Sequence, residues 1–146
     1  EIIRMGEGCE KMMRWLKELR HQDDPDEQLV RKLFHREEVL DSIQDEIVIF
    51  MTNLLAANVP HDIIEEGRQQ LRMADELESI SDYIRSILKF HLKLRDQGHG
   101  FDEAHRADLD KLHDEVDAYL RLLIESFKNR NWDVISKSQA RASEIK

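Results

Sequence analysis

The chain has 146 residues, and its 31 acidic residues outnumber the 22 lysines and arginines to give a formal net charge of −9. This charge argues against a nucleic-acid partner, and the longest apolar run, residues 47–51, is too short for membrane insertion. With 40% hydrophobic residues but only five glycines and two prolines, the composition favours one domain built from a few long helices.

The first two predicted helices are separated by an acidic segment. The first helix runs from Glu1 to about Arg20. The second is expected to begin at Asp24, whose side chain can cap it, with Pro25 in the first turn, and to end near Asn58. Apolar residues recur at helical spacing in both helices, and we expect them to form the core. They are Met5, Met12, Met13, Leu16 and Leu19 in the first helix, and Val30, Leu33, Leu40, Ile47, Met51 and Leu54 in the second.

Three further helices are predicted in the rest of the chain. The third begins at Pro60 and ends at the segment 98–100, where a glycine can adopt a left-handed cap. The fourth is capped by Asp102, and a fifth begins near Trp132. The predicted core positions of the third and fourth helices are Leu71, Ala74, Leu77, Ile80, Ile84, Ile87, Leu88, His91, Leu109, Leu112, Val116, Tyr119, Leu120, Leu123 and Phe127.

These elements predict an all-α fold. Short connections between long amphipathic helices indicate an antiparallel bundle of about five helices, of which two long ones are central. We expect residues 1–146 to form a single domain. The chain starts without an initiator methionine and stops within a helical pattern, so we expect it to be part of a longer protein. The one cysteine, Cys9, is expected to be a small apolar core residue.

Acidic side chains recur on one side of each of the two central helices. Glu37 and Asp41 lie four residues apart, and Asp75, Glu78 and Asp82 are spaced by three and four. Residues at these spacings project from the same face of a helix. Like charges so placed repel one another, which makes the pattern unfavourable unless a positive group lies between them.

The predicted hairpin brings the two acidic faces to the same height. If the turn is centred between residues 59 and 60, residues whose numbers add to about 119 face each other across the two helices. The facing pairs are Glu37 with Asp82, Asp41 with Glu78, and Asp45 with Asp75.

An oxygen-only patch of this kind suits hard cations, including magnesium, calcium, manganese and iron. His35 is the nearest nitrogen donor and would be at most an auxiliary ligand. A solvated acidic face that binds no metal explains the same spacing. The predicted metal ligands are Glu37, Asp41, Asp75, Glu78 and Asp82.

The sequence gives little support to other chemistries. A ferritin-like di-iron site needs Glu-x-x-His motifs on two helices, and only Glu18 with His21 and the imperfect Asp110 with His113 come near. No nucleophile elbow is present, and the segment 98–100 lacks the lysine of a phosphate-binding loop. Direct recognition of phosphate by basic side chains is likewise unsupported. We therefore expect a protein that is not an enzyme, with His113 on a solvated face.

Two segments resemble the motifs of the PhoU family. Residues 74–83, Ala-Asp-Glu-Leu-Glu-Ser-Ile-Ser-Asp-Tyr, are similar to the family signature, although Ser81 stands where the family usually has glycine. Residues 36–41 resemble the family's first Glu/Asp-x-x-x-Asp motif. The resemblance implies a surface cluster of iron or zinc. Its implied ligands are Glu37, Asp41, Glu78 and Asp82, with Asp75 as an addition.

The opening residues 1–6, followed by an amphipathic helix, are similar to the PhoU-like cytoplasmic tail of bacterial sodium/phosphate cotransporter family proteins. This resemblance implies a regulatory domain on the cytoplasmic face of the bacterial inner membrane, tethered to the membrane domain of its own transporter. A homo-oligomer is a further expectation. Two alternatives remain open, a free-standing PhoU-type regulator of phosphate signalling and a metal-free structural oligomerisation bundle. A complete two-repeat PhoU protein would have a second motif pair, and in this chain only Glu144 could begin one.

Overall fold

The computed structural model describes residues 1–57 and 59–129, and within these ranges the regular structure is entirely α-helical. The predicted all-α class is therefore confirmed. The fifth helix predicted near Trp132 and the motif candidate Glu144 lie outside the described residues. The four helices are α1 (Ile2–His21), α2 (Glu27–Ala56), α3 (His61–Asp96) and α4 (Glu103–Lys128).

The starts of two helices test the predicted caps. The prediction of Asp24 as the cap of α2 is wrong, because Asp26 holds that position and its Oδ1 accepts a hydrogen bond from Gln28 N at 2.8 Å. The prediction of Asp102 as the cap of α4 is confirmed, since its Oδ1 accepts from His105 N at 2.8 Å. In both helices the cap supplies an acceptor to a backbone amide that the helix itself leaves without one.

The connections around α3 also follow from local chemistry. Pro60 directly precedes the first residue of α3, where its fixed φ and missing N–H are tolerated. Gly98 has a φ of +73°, which confirms the predicted left-handed cap after α3. This turn lets His99 N donate to Leu94 O at 2.9 Å before the chain enters α4.

Helix α1 occupies the centre of the described structure, because it packs against α2, α3 and α4. The prediction that the two long helices are the central ones is therefore not confirmed. Helices α2 and α3 also pack against each other, whereas α4 contacts only α1 among the described helices. Ion pairs join Glu7 to Lys128 and Lys17 to Asp114, so α1 and α4 run antiparallel. The result is a three-helix unit of α1, α2 and α3 with α4 on the outer side of α1.

The core is built around the apolar face of α1. Met5 and Met12 are fully buried, which confirms the predicted core role of the methionines. Cys9 is also buried, and burial raises the pKa of its thiol to about 12, so the group is protonated and unreactive at neutral pH. Leu33 from α2 and Leu88 from α3 complete the same cluster without exposed surface.

Some predicted core positions are exposed. Ile87 on α3 has 49% of its surface exposed and Leu112 on α4 has 47%, and Val116 and Leu123 are also on the surface. Since α4 contacts only α1, no other described helix covers its far side. His113, expected on a solvated face, is buried instead because it lies among the residues of α4 that face α1.

A close approach between α1 and α2 occurs at Gly8. A Cβ atom at this position would lie 2.7 Å from Cδ2 of Leu40, whose side chain is itself buried. At Gly67 on α3, a Cβ atom would meet only the terminal methyl group of Met51, which can rotate away. A Cβ atom at Gly8 therefore meets a neighbour that cannot easily move, whereas a Cβ atom at Gly67 meets a flexible one.

We expect the free energy of unfolding of Gly8→Ala to be about 1–2 kcal/mol lower than that of Gly67→Ala. Both substitutions gain the same helix propensity, so the difference isolates the clash with Leu40. Urea denaturation of the two variants, followed by circular dichroism, measures this difference. Equal free energies of unfolding would show that Leu40 moves without cost.

Candidate metal centre

The acidic faces of α2 and α3 lie alongside each other in the antiparallel hairpin. Gln44 Nε2 on α2 donates to Asp75 Oδ1 on α3 at 2.7 Å, and the two residue numbers add to the predicted value of 119. Nη1 of Arg85 lies 2.9 Å from Glu37 Oε1 on α2 and 3.4 Å from Asp82 Oδ1 on α3. These contacts confirm the predicted register. They show that Glu37, Asp75 and Asp82 lie beside the facing helix at the expected positions.

Glu78 is surrounded by the other predicted ligands. Its pKa is raised, first because its carboxylate is partly buried and then because of nearby negative charges. In decreasing order of effect, these charges belong to Asp82, Asp41, Glu37 and Asp75. The structure therefore brings the four other predicted residues close enough to act electrostatically on Glu78.

The patch is shallow. Glu37 and Glu78 are partly buried at the helix interface, while Asp41, Asp75 and Asp82 are exposed. Oxygen atoms near the surface of a hairpin can reach a hydrated cation without the chain opening. His35, the proposed auxiliary ligand, instead places its Nδ1 3.6 Å from Glu38 Oε2 on its own helix.

The carboxylates do not converge on one point. In residues 1–57 and 59–129, no group of three or more His, Cys, Asp or Glu side chains is arranged to hold an ion. Like charges repel one another, while Gln44 and Arg85 hold three of the five carboxylates by hydrogen bonds. A shared cation would therefore require side-chain rotation and a shift of the guanidinium group of Arg85.

Arg85 and Gln44 are residues of the patch that the sequence did not predict. Arg85 lies three positions after Asp82, a spacing that predicts an ion pair on one helix face. Its contact with Glu37 spans 48 positions and depends on the hairpin register. Gln44 carries no charge, so the charge pattern gave no signal for it.

The opposite side of the signature segment packs into the core. Ser81 is buried, and its Oγ donates to Glu78 O at 2.8 Å, which satisfies the hydroxyl group within the helix. One turn earlier, Leu77 O accepts from Cys9 Sγ on α1 at 3.3 Å. The segment thus anchors α3 to α1 with one face and presents Asp75, Glu78 and Asp82 with the other.

We expect Arg85→Gln to lower the free energy of unfolding by about 0.5–1.5 kcal/mol in the presence of a chelator. The substitution removes the guanidinium group that contacts both acidic faces, so the repulsion around Glu78 increases. Urea denaturation in EDTA measures the change. Arg31→Gln is the matched control, because among the described residues Arg31 pairs with the exposed Glu27 on its own helix. An equal loss in both variants would mean that Arg85 has no special role.

Comparison with known families identifies the three-helix unit. A family model described as "PhoU domain" matches residues 2–90, more than half of the chain. The chain belongs to the PhoU family. The matched segment covers α1, α2 and most of α3, including both acidic motifs, and it ends before α4. No curated protein and no solved structure matches the chain significantly.

Membership of this family gives the general role. PhoU domains are regulatory rather than catalytic, and they act in connection with phosphate transport. Within the part of the chain that the structure describes, none of the helices is both long and apolar enough to cross a membrane.

Proposed function

We propose that this PhoU domain is the cytoplasmic regulatory part of a bacterial sodium-dependent phosphate transporter. It would be joined to the transporter's membrane domain and would lie at the cytoplasmic face of the inner membrane. The family match supports a role in phosphate transport, and the resemblance of residues 1–6 and the following helix to cotransporter tails supports the tethered arrangement.

We further propose that the hairpin carboxylates bind a metal ion. The observation that carries this proposal is that the two acidic faces lie side by side, joined through Gln44 and Arg85. Burial and four nearby acidic residues also raise the pKa of Glu78. A bound cation neutralises the repulsion between these carboxylates and bridges α2 to α3. Family resemblance favours iron or zinc, whereas the oxygen donors also suit magnesium, calcium or manganese. The proposed ligands are Glu37, Asp41, Asp75, Glu78 and Asp82.

Metal binding gives a route to regulation. An ion that bridges the two helices restricts their motion, and it shifts the domain between conformations only if it binds one of them more tightly. The favoured conformation would then change how the domain contacts its membrane partner or a second copy of itself. No catalytic step is involved.

Metal analysis of protein purified without chelator tests the site. We expect bound metal in the native protein and a loss of most of it in Glu78→Ala/Asp82→Ala. Glu65→Ala/Glu66→Ala is the matched control, because it removes two exposed charges from the same helix outside the patch. Equal metal content in the three proteins, or none in the native one, would contradict a metal site on the hairpin.

Hydrogen exchange tests the regulatory step. Chelation is expected to lower the protection of amides in α2 and α3 beside the patch and to change the affinity for the partner. If both quantities stay constant on chelation, the metal does not act as a switch. Sodium-dependent phosphate uptake by the full-length protein, with and without this domain, tests the transporter link, which unchanged uptake would contradict.

A further inference from the structure

A second cluster of charged side chains surrounds a small cavity at the opposite end of the hairpin from its turn. The cavity lies where α1 and α3 end and α4 begins, and its volume is about 40 Å³. Basic and imidazole groups dominate its walls. They are Arg20, His21, His91, Arg95, His99 and Arg106.

His91 is the most unusual group in this cavity wall. Its side chain has only 8% of its surface exposed, and its Nε2 atom is buried without a hydrogen-bond partner among the described residues. A buried polar atom without a partner costs about 1–3 kcal/mol. Such atoms in native proteins usually contact an ordered water or a ligand. His91 lines the cavity, so a water or a ligand bound there would approach its ring.

The electrostatic surroundings of His91 are positive. Its pKa is lowered, first by burial and then by the charges of Arg95, Arg20 and Arg106, which come from three different helices. The imidazole is therefore neutral at pH 7 and carries one N–H donor. Asp110 is the acidic residue of the cavity wall, and it is paired with Arg20 and His21. Three guanidinium groups thus face one carboxylate in a chain whose net charge is −9.

Two of the arginines are held in place by backbone carbonyls. Arg95 donates to Arg20 O at 3.2 Å and to Asp23 O at 3.0 Å, so it joins the end of α3 to the end of α1. Arg106 donates through Nε to Phe101 O at 2.9 Å. Among the described residues, this bond leaves both Nη groups of Arg106 available to an acceptor. Charged donors fixed in this way bind oxyanions well, since little side-chain entropy is lost.

We propose that this cavity binds a small tetrahedral oxyanion of the phosphate class. Arg106 and the N–H group of His91 would donate hydrogen bonds to it, and Arg20 and Arg95 would supply positive charge. A volume of about 40 Å³ holds roughly two or three water molecules, which is the scale of one small oxyanion. The site is independent of the carboxylate patch on the hairpin, and it requires no metal.

No sequence pattern predicts this site, because its residues are dispersed along the chain. Arg20, His91 and Arg106 lie on three helices, and the segment 98–100 lacks the lysine of a phosphate-binding loop. The left-handed turn at Gly98 brings the start of α4 back beside the ends of α1 and α3.

Calorimetric titration with inorganic phosphate tests the proposal. The titration is carried out in EDTA and at constant ionic strength, so that phosphate cannot bind through a metal on the hairpin. We expect saturable binding to the native protein and at least a tenfold weaker affinity for Arg106→Gln. Arg121→Gln is the matched control, since Arg121 is an exposed residue of the same helix that pairs with Asp117. It should bind phosphate as the native protein does.

The nitrogen chemical shifts of His91 provide a second measurement that needs no substitution. They are expected to change along the same titration curve, whereas those of the exposed His35 should not. No binding in EDTA, equal affinity of Arg106→Gln and native protein, or unchanged His91 shifts would each overturn the proposal. Binding to vesicles containing phosphatidic acid without binding to inorganic phosphate would also overturn it, since the occupant would then be a lipid headgroup.

Discussion

Replacing Leu33 with alanine is expected to lower the free energy of unfolding by about 2–5 kcal/mol. Leu33 has no exposed surface and lies in the cluster where α1, α2 and α3 meet, so truncation leaves a cavity that the three helices cannot close. A domain of this kind has roughly 5–15 kcal/mol of stability, so the loss is a large fraction of the total. Urea denaturation followed by circular dichroism measures it.

Leu112→Ala is the control for this prediction. Leu112 has 47% of its surface exposed on α4, so the same change should cost less than about 1 kcal/mol. The comparison tests whether the core lies within the PhoU three-helix unit. Similar losses for Leu33→Ala and Leu112→Ala would contradict this arrangement, because they would require both leucines to be buried.

Replacing Glu78 with glutamine is expected to have opposite effects with and without metal. In the presence of a chelator the variant should be more stable by up to about 1 kcal/mol, because four like-charge repulsions are removed. Its affinity for a divalent ion should fall by about 10–100-fold, since a charged ligand is lost from the centre of the patch. Thermal unfolding with EDTA and with added metal measures both effects.

Glu76→Gln separates a local effect from one of net charge. Glu76 is an exposed acidic residue on the same helix, and it is not among the charges that raise the pKa of Glu78. Its substitution changes the net charge equally but should produce neither effect. If Glu78→Gln is less stable than the native protein in EDTA, the carboxylate of Glu78 makes favourable contacts and is not destabilised by its acidic neighbours.

Features of the fold that depend on neighbouring residues could be predicted from the sequence. The helical spacing of apolar residues gave the all-α class, and the turn chemistry at Pro60 and Gly98 gave the boundaries of α3. The hairpin register followed from the position of one short turn, and the contact of Gln44 with Asp75 confirms it. These features are local, or follow from a single tight connection.

Two kinds of feature were predicted less well. One is the choice between neighbouring residues for the same role, and the other is packing between helices that are distant in the chain. Asp24 and Asp26 flank the same proline, and the sequence pattern could not show which of them caps α2. The exposure of Ile87 and Leu112 was missed because an apolar stripe does not reveal how many helices cover it.

The candidate metal site shows the same division. The spacing of the acidic residues placed five carboxylates on facing sides of two helices, and the structure brings the other four near Glu78. The contacts of Arg85 with Glu37 and of Gln44 with Asp75 cross between the helices, so they required three-dimensional coordinates. The residues of the cavity where α1 and α3 end and α4 begins are contributed by three helices. Their grouping could therefore be seen only in three dimensions.

The proposal that carboxylates from α2 and α3 hold one ion is tested most directly by paramagnetic broadening of amide signals during a manganese titration. The expected result is that signals of residues 37–41 and 75–82 broaden together at low manganese concentration, and that Glu78→Ala/Asp82→Ala abolishes the effect. Broadening confined to one helix, or centred on the acidic segment 23–27, would show that the hairpin does not form a shared site.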